Sequence, residues 1–198
     1  LILNEFLTIF VSVRMKTILH SILFTVALSP ALPAETCREV VRDSSGRIAQ
    51  TIDRQKSSNG SVQSVTRDAS GRIIGTATTR PSSGGSAQTT YRDASGRLAG
   101  SASSQANTSG GSSTAYRDAS GRLAGSASTH KSAGNGSSTQ FRDASGRLSG
   151  SETTHGSSSG TATSTKRDAS GRLIGSSSGS GKCPSVVRVP SPPAGAKK

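Results

Sequence analysis

Six near-identical copies of Arg-Asp-(Ala/Ser)-Ser-Gly-Arg-(Ile/Leu) recur at a fixed 25-residue spacing, beginning at Arg42, Arg67, Arg92, Arg117, Arg142 and Arg167. No copy slips by a residue, although the segments between copies vary freely. Fixed spacing over divergent filler predicts one structural unit per period, each stacked on its neighbours.

The motif itself has the chemistry of a tight hairpin. In Arg92-Asp93-Ala94-Ser95-Gly96-Arg97-Leu98, Asp at the first turn position can bond back to the turn amides. Gly at the fourth takes positive φ without strain. This is the three-residue hairpin loop closed by a glycine bulge, and it assigns a turn role to Gly46, Gly71, Gly96, Gly121, Gly146 and Gly171. The same geometry predicts an exposed Asp93–Arg97 ion pair across the hairpin, Arg92 opposite Leu98 on one face, and Tyr91 opposite Ala99 on the other. Small residues follow, as in Thr76-Ala77-Thr78 and Ser101-Ala102-Ser103, and a Gly/Ser/Asn loop leads to the next unit. The first copy departs from the pattern with Gln50-Thr51-Ile52-Asp53-Arg54, which reads as an N-terminal cap.

Few large apolar residues are available to build a core. There is no Trp, and aromatics make up 3% of the chain, which by composition places it near the disordered class. Each unit supplies one fixed aliphatic, at Ile48, Ile73, Leu98, Leu123, Leu148 and Leu173, and three add Tyr91, Tyr116 or Phe141 before the motif. Burying one Leu contributes about 2 kcal/mol, against about 1–2 kcal/mol of backbone entropy per ordered residue. No unit folds alone on that balance. The expected fold is all-β: a repeat array of stacked β-hairpins, solenoid-like or a curved sheet, of six 25-residue units over residues 35–182.

The flanks carry different signals. Met15-Lys16, the apolar stretch Ile18–Leu28 and the exit Pro30, Ala31, Pro33 and Ala34 read as a secretory signal helix with cleavage at Ala34. Residues 1–34 are therefore assigned as an upstream extension plus signal peptide, residues 35–182 as the array, and residues 183–198 as a Cys/Pro-rich tail in which Val186–Val189 could form a closing strand. Cys37 and Cys183 bracket the array, and in an exported chain an even pair is read as a disulfide. Closing so long a loop contributes at most about 5 kcal/mol. Such a clasp suits an array that curves round better than a straight rod.

Tyr-Arg-Asp-Ala-Ser-Gly-Arg-Leu, as at Tyr91–Leu98, resembles the tyrosine–aspartate repeat of Rhs- and teneurin-type proteins. The likeness covers about seven positions in each unit over most of the array. An Arg stands between the aromatic position and Asp, and Val41, Thr66 and Lys166 replace the aromatic. The resemblance implies an exported β-hairpin array and no activity.

Charge bounds the function. The formal net charge is +13, and removing Arg14, Lys16 and Glu5 with the signal leaves +12. Such an excess favours anionic surfaces. For an exported chain the expected partner is an anionic polysaccharide or envelope polymer, contacted through Arg72, Arg97, Arg122, Arg147 and Arg172. Nucleic acid is not expected, because no aromatic stacking platform or basic helix accompanies the charge. Single Asp residues 25 apart supply no paired carboxylates, and His130 and His155 lack a third ligand. No catalytic, cofactor or metal site is expected, nor a transmembrane span in the mature chain. The expectation is an exported, non-enzymatic protein of the periplasm, cell surface or extracellular space, with a structural or adhesive role. Two alternatives stand beside it: a disordered secreted spacer, and an ice-binding solenoid using the Ser/Thr-x-Ser/Thr rank from 76–78 to 176–178. Open edge strands at the ends of a stack would allow self-association.

Overall fold

The computed structural model describes residues 35–180 other than 133, 158 and 159. The expected signal helix with Ala34, and the tail with Cys183 and Val186–Val189, lie outside the described residues. Twelve strands follow one another: β1 (Glu35–Asp43), β2 (Ile48–Lys56), β3 (Val62–Asp68), β4 (Ile73–Pro81), β5 (Ala87–Asp93), β6 (Leu98–Ala106), β7 (Ser112–Asp118), β8 (Leu123–Lys131), β9 (Gly136–Asp143), β10 (Leu148–Gly156), β11 (Ala162–Asp168) and β12 (Leu173–Ser180). Each pairs antiparallel with its sequence neighbours, and β1 pairs with β12 to close a barrel. The protein is all-β and built of repeated hairpins, as expected.

The solenoid-like stack is corrected. A solenoid lays units along an axis and leaves its first and last units far apart. Here each unit adds two strands to one sheet, whose accumulated twist and curl bring its edges together. The joint between β12 and β1 is built like the internal ones. A Cβ added to Gly175 would lie 2.5 Å from the backbone oxygen of Arg42, as one on Gly150 would from that of Arg167 and one on Gly125 from that of Arg142. A glycine is needed at this row because the next strand's backbone passes so close.

Closure corrects two further expectations. Gln50–Arg54 is no cap, because β2 is paired on both sides, to β1 and β3. The open edges on which self-association rested are consumed by the β1–β12 pairing. The spacer alternative also loses its premise, since the strands are paired around the whole circuit.

Both ends of the barrel use related turns. At one end Gly96 N donates to Asp93 O (3.0 Å) and Asp93 N to Arg97 O (3.0 Å). At the other, Gly110 N donates to Asn107 O (3.1 Å) and Asn107 N to Gly111 O (3.0 Å). The six motif turns share one rim, and the Ser/Asn/Gly loops share the other with the start of β1 and the end of β12.

From β5 to β9 the inward face is made of small residues and three aromatics, while β1–β3 add Cys37, Glu39, Ile52 and Val62. Tyr91 lies opposite Gly100 on one side and Ala77 on the other; Tyr116 faces Gly125 and Ala102, and Phe141 faces Gly150 and Ala127. Each large ring thus covers two small neighbours. Ala102, Tyr116, Ala127 and Phe141 form the buried core, with Tyr91 packed against it. Nearer the loop rim, buried hydroxyls pair across strands: Thr79 with Thr89 (2.9 Å) and Ser104 with Thr114 (2.7 Å). Away from the motif turns the outward positions are mostly Ser, Thr, Gln and Arg, as in Gln88, Thr90 and Arg92 of β5, or Ser101 and Ser103 of β6, with Val40, Val65 and Ala115 among the exceptions. That pattern is the opposite of the apolar outer band of a membrane-spanning barrel. Among the described residues no helix is long and apolar enough to cross a membrane.

Candidate functional site

The six motif turns are the most regular feature of the molecule. The turn glycines have φ between 78° and 84°, the left-handed region that a side chain disfavours. The motif aspartate does not form the expected ion pair with the second arginine. Its Oδ1 instead accepts from backbone amides, at 2.9 Å from Ser95 N and 2.9 Å from Arg97 N in the third copy. In four copies it also accepts from the serine hydroxyl, as from Ser70 Oγ at 2.6 Å. Those hydroxyls are the main reason that Asp43, Asp68, Asp118 and Asp168 are held below the usual carboxylate range, with help from the turn amides and the nearby second arginine. A carboxylate already within reach of two amides gains little by extending to a solvated guanidinium.

The two arginines of each motif have different duties. The first donates from Nη1 to the carbonyl of the turn glycine, at 2.8–3.1 Å in all six copies. It is a structural brace. The second, at Arg72, Arg97, Arg122, Arg147 and Arg172, is exposed and enters no ion pair or side-chain hydrogen bond among the described residues. Arg47 occupies the same place in the first copy and belongs with them. Its membership was legible in Arg42–Arg47, but the cap assignment obscured it. The structure thus brings all five expected arginines, and a sixth, to one rim.

The fixed aliphatics correct the expected core. Arg92 does lie opposite Leu98, but Tyr91 lies opposite Gly100, with the register shifting between Tyr91 and Arg92. This bulge leaves Leu98 on the outward row while its neighbours two residues on face inward. Ile48, Ile73, Leu98, Leu123, Leu148 and Leu173 are 44–47% exposed, joined by Ile74 and Ile174. Around the barrel just inside the turns, brace arginines therefore alternate with aliphatics.

Other expected features fall elsewhere. The Ser/Thr-x-Ser/Thr rank sits on alternate strands of a closed barrel, so it forms no flat plane to match an ice lattice. His130 and His155 occupy corresponding positions near the loop rim, and no group of three or more His, Cys, Asp or Glu is gathered among the described residues. Cys37 is buried on β1, and its expected partner Cys183 is outside the described residues.

A different chemistry marks the seam. Buried Glu39 on β1 accepts from Arg54 Nη1 on β2 (2.5 Å) and from Ser177 Oγ on β12 (2.6 Å), linking three strands across the closure. On the outer face Arg38 Nε donates to Asp53 Oδ1 at 2.6 Å, which holds Asp53 below the usual carboxylate range. A cleft of about 580 Å³ opens beside these residues, with Cys37, Val65 and Ser180 on its walls. Sequence reasoning missed Glu39; the one available signal was an acid alternating with Cys37 and Val41 on an otherwise inward row. No family model matches the chain, and no curated protein matches it.

Proposed function

We propose that this is an exported, non-enzymatic barrel that holds anionic envelope or extracellular polymers through its motif rim, acting in the periplasm, at the cell surface or outside the cell. One observation carries the reading: six exposed guanidiniums, from Arg47 to Arg172, ring one end and enter no ion pair among the described residues, while the acids of the same turns are turned onto backbone amides. Repeated weak contacts on one scaffold raise avidity without any single strong site. Polymers suit such a ring because its guanidiniums are spread around the whole rim, one to each hairpin. Kinship with the tyrosine–aspartate hairpin repeats belongs to the same proposal, supported by the shared Asp-x-x-Gly-Arg-Leu turn. The test is elution of the full chain from immobilised dextran sulfate. An Arg97→Gln, Arg122→Gln, Arg147→Gln variant is expected to elute at clearly lower salt, as screening of a smaller charge requires. Equal elution would overturn the reading.

The proposal includes the Cys37–Cys183 disulfide as a latch on the closure. Arg38, beside Cys37, is paired with Ser180, and three further residues span at most about 10 Å. The expected result is an unreduced full chain two hydrogens lighter than the reduced one, with Cys37 and Cys183 in one linked peptide.

A further inference from the structure

Anion binding accounts for the arginines of the motif rim but leaves its aliphatics unexplained. Six side chains, Ile48, Ile73, Leu98, Leu123, Leu148 and Leu173, recur at one outward position directly after the turn, each 44–47% exposed. In the third copy Leu98 stands opposite Arg92, whose guanidinium is tied back to Gly96 O at 2.8 Å. The brace arginine therefore presents its stem beside the aliphatic, with its charge withdrawn toward the turn. The tips beyond are small and uncharged, Ala-Ser-Gly in five copies and Ser-Ser-Gly in the first. Among the described residues the acids at this rim, the motif aspartates, are bonded to turn amides. What remains facing outward is a ring of aliphatics with a ring of guanidiniums, in no ion pair among the described residues, just beyond it.

We infer that the same anion-binding rim also seats on an anionic lipid surface, with the aliphatic ring entering the headgroup–acyl boundary while Arg47, Arg72, Arg97, Arg122, Arg147 and Arg172 bind the lipid phosphates. Charge complementarity favours that occupant. A second copy docking rim to rim would oppose two rings of like charge, and a polymer held by the guanidiniums accounts for the charge but leaves the leucines uncovered. Interfacial binding combines buried apolar area with attraction to anionic headgroups, and a long arginine side chain can keep its charge at the phosphates while neighbouring residues sit deeper. Only the rim is involved, because the outward positions farther along the strands are mainly Ser, Thr and Gln, as on β5 and β6. This inference rests on the rim being the anion-binding end, and adds the apolar half of the partner.

The test compares full-length variants by cosedimentation with vesicles of phosphatidylglycerol and of phosphatidylcholine. The wild-type chain is expected to sediment with the anionic vesicles and not with the zwitterionic ones. A Leu98→Ser, Leu123→Ser, Leu148→Ser variant should partition about tenfold less, while keeping its circular dichroism spectrum and its salt elution from dextran sulfate. Loss of dextran sulfate retention in the wild type would sink the anion-binding reading itself. Intact retention with no vesicle binding, or vesicle binding indifferent to the leucines, would overturn the lipid inference alone. Should the triple variant fail to fold, Leu123→Trp supplies an independent readout, since the chain has no other Trp. Its emission should shift to the blue on phosphatidylglycerol vesicles, and an unshifted spectrum with the protein bound contradicts insertion.

Discussion

The wall from β5 to β9 and the seam formed by β12, β1 and β2 solve the same pairing problem with different chemistry. In the wall, joints are made by small residues, hydroxyl pairs such as Ser104–Thr114, and rings laid over Gly and Ala. At the seam, the backbone joint at Gly175 and Arg42 matches those of the wall, but Glu39, Arg54 and Ser177 replace neutral contacts with a buried charged clamp. Repetition supplies the wall, since each unit fits the next by construction. It cannot supply the last joint's partners selectively, because any two hairpins would pair equally well. A buried acid of the first hairpin, Glu39, held by Arg54 of the same hairpin and bonded to Ser177 of the last strand, marks which strands must meet, a use of buried polar groups known from helical assemblies.

That contrast can be broken most directly at Glu39. Replacing Glu39 with Ala strands the Arg54 guanidinium and removes the acceptor for Ser177, at a cost of about 3 kcal/mol. Cutting a wall pair by Ser104→Ala is expected to cost only about 1 kcal/mol. Urea melts of the two variants measure both, and equal losses would remove the distinction between seam and wall. A sharper probe of the wall is Tyr116. Its ring is buried, and the hydroxyls of Tyr116 and Tyr91 have no hydrogen-bond partner among the described residues; burial pushes both phenols well above their ordinary value. Tyr116→Ala should lose about 3 kcal/mol, whereas Tyr116→Phe should be neutral or stabilising, because an unmet polar group is removed. A marked loss in the Phe variant would show that the hydroxyl has a role in the wall.

The smallest effect concerns pH. The folded values of Asp43, Asp68, Asp118 and Asp168 lie below the ordinary one, so their contribution is complete above the unfolded value near ~4 and is lost as pH falls through the folded values. At the seam Asp53 behaves likewise, chiefly through Arg38. Thermal melts should be flat from pH 7 to about 5 and decline below about 4. Replacing Ser45, Ser70, Ser120 and Ser170 with Ala should flatten the decline; an unchanged profile would discount the serine hydroxyls as its cause.

The turn was legible because Asp-Ala-Ser-Gly carries its own geometry within a few residues, and Asp93 does bond back to the turn amides of Ser95 and Arg97, although the ion pair expected with Arg97 is replaced by those bonds. The buried face was not. A bulge beside Leu98 shifts pairing by one residue, and with a side-chain period of two such a shift exchanges inside and outside. Leu98, read as core, is on the surface, while Ala102 and Thr89, read as filler, are buried. Closure was hidden for a different reason. It depends on the summed curl of twelve strands, to which every residue contributes slightly. The glycine row from Gly75 to Gly175 held a trace of it: Gly175, in the last unit, needs a neighbouring strand as much as Gly75 does. Of the candidate site, the rim arginines could be read from their spacing, but the aliphatic ring beside them could not, because its exposure follows from the bulge.

The central claim is that the array closes on itself, and nuclear Overhauser contacts across the seam test it most directly. Val40 is paired with Ser178, and Arg42 with Ser176. Cross-strand backbone contacts between these residues, as strong as those between β6 and β7 and unchanged on dilution, are the predicted result. Their absence, with the internal contacts intact, would contradict the barrel and return the chain to an open array.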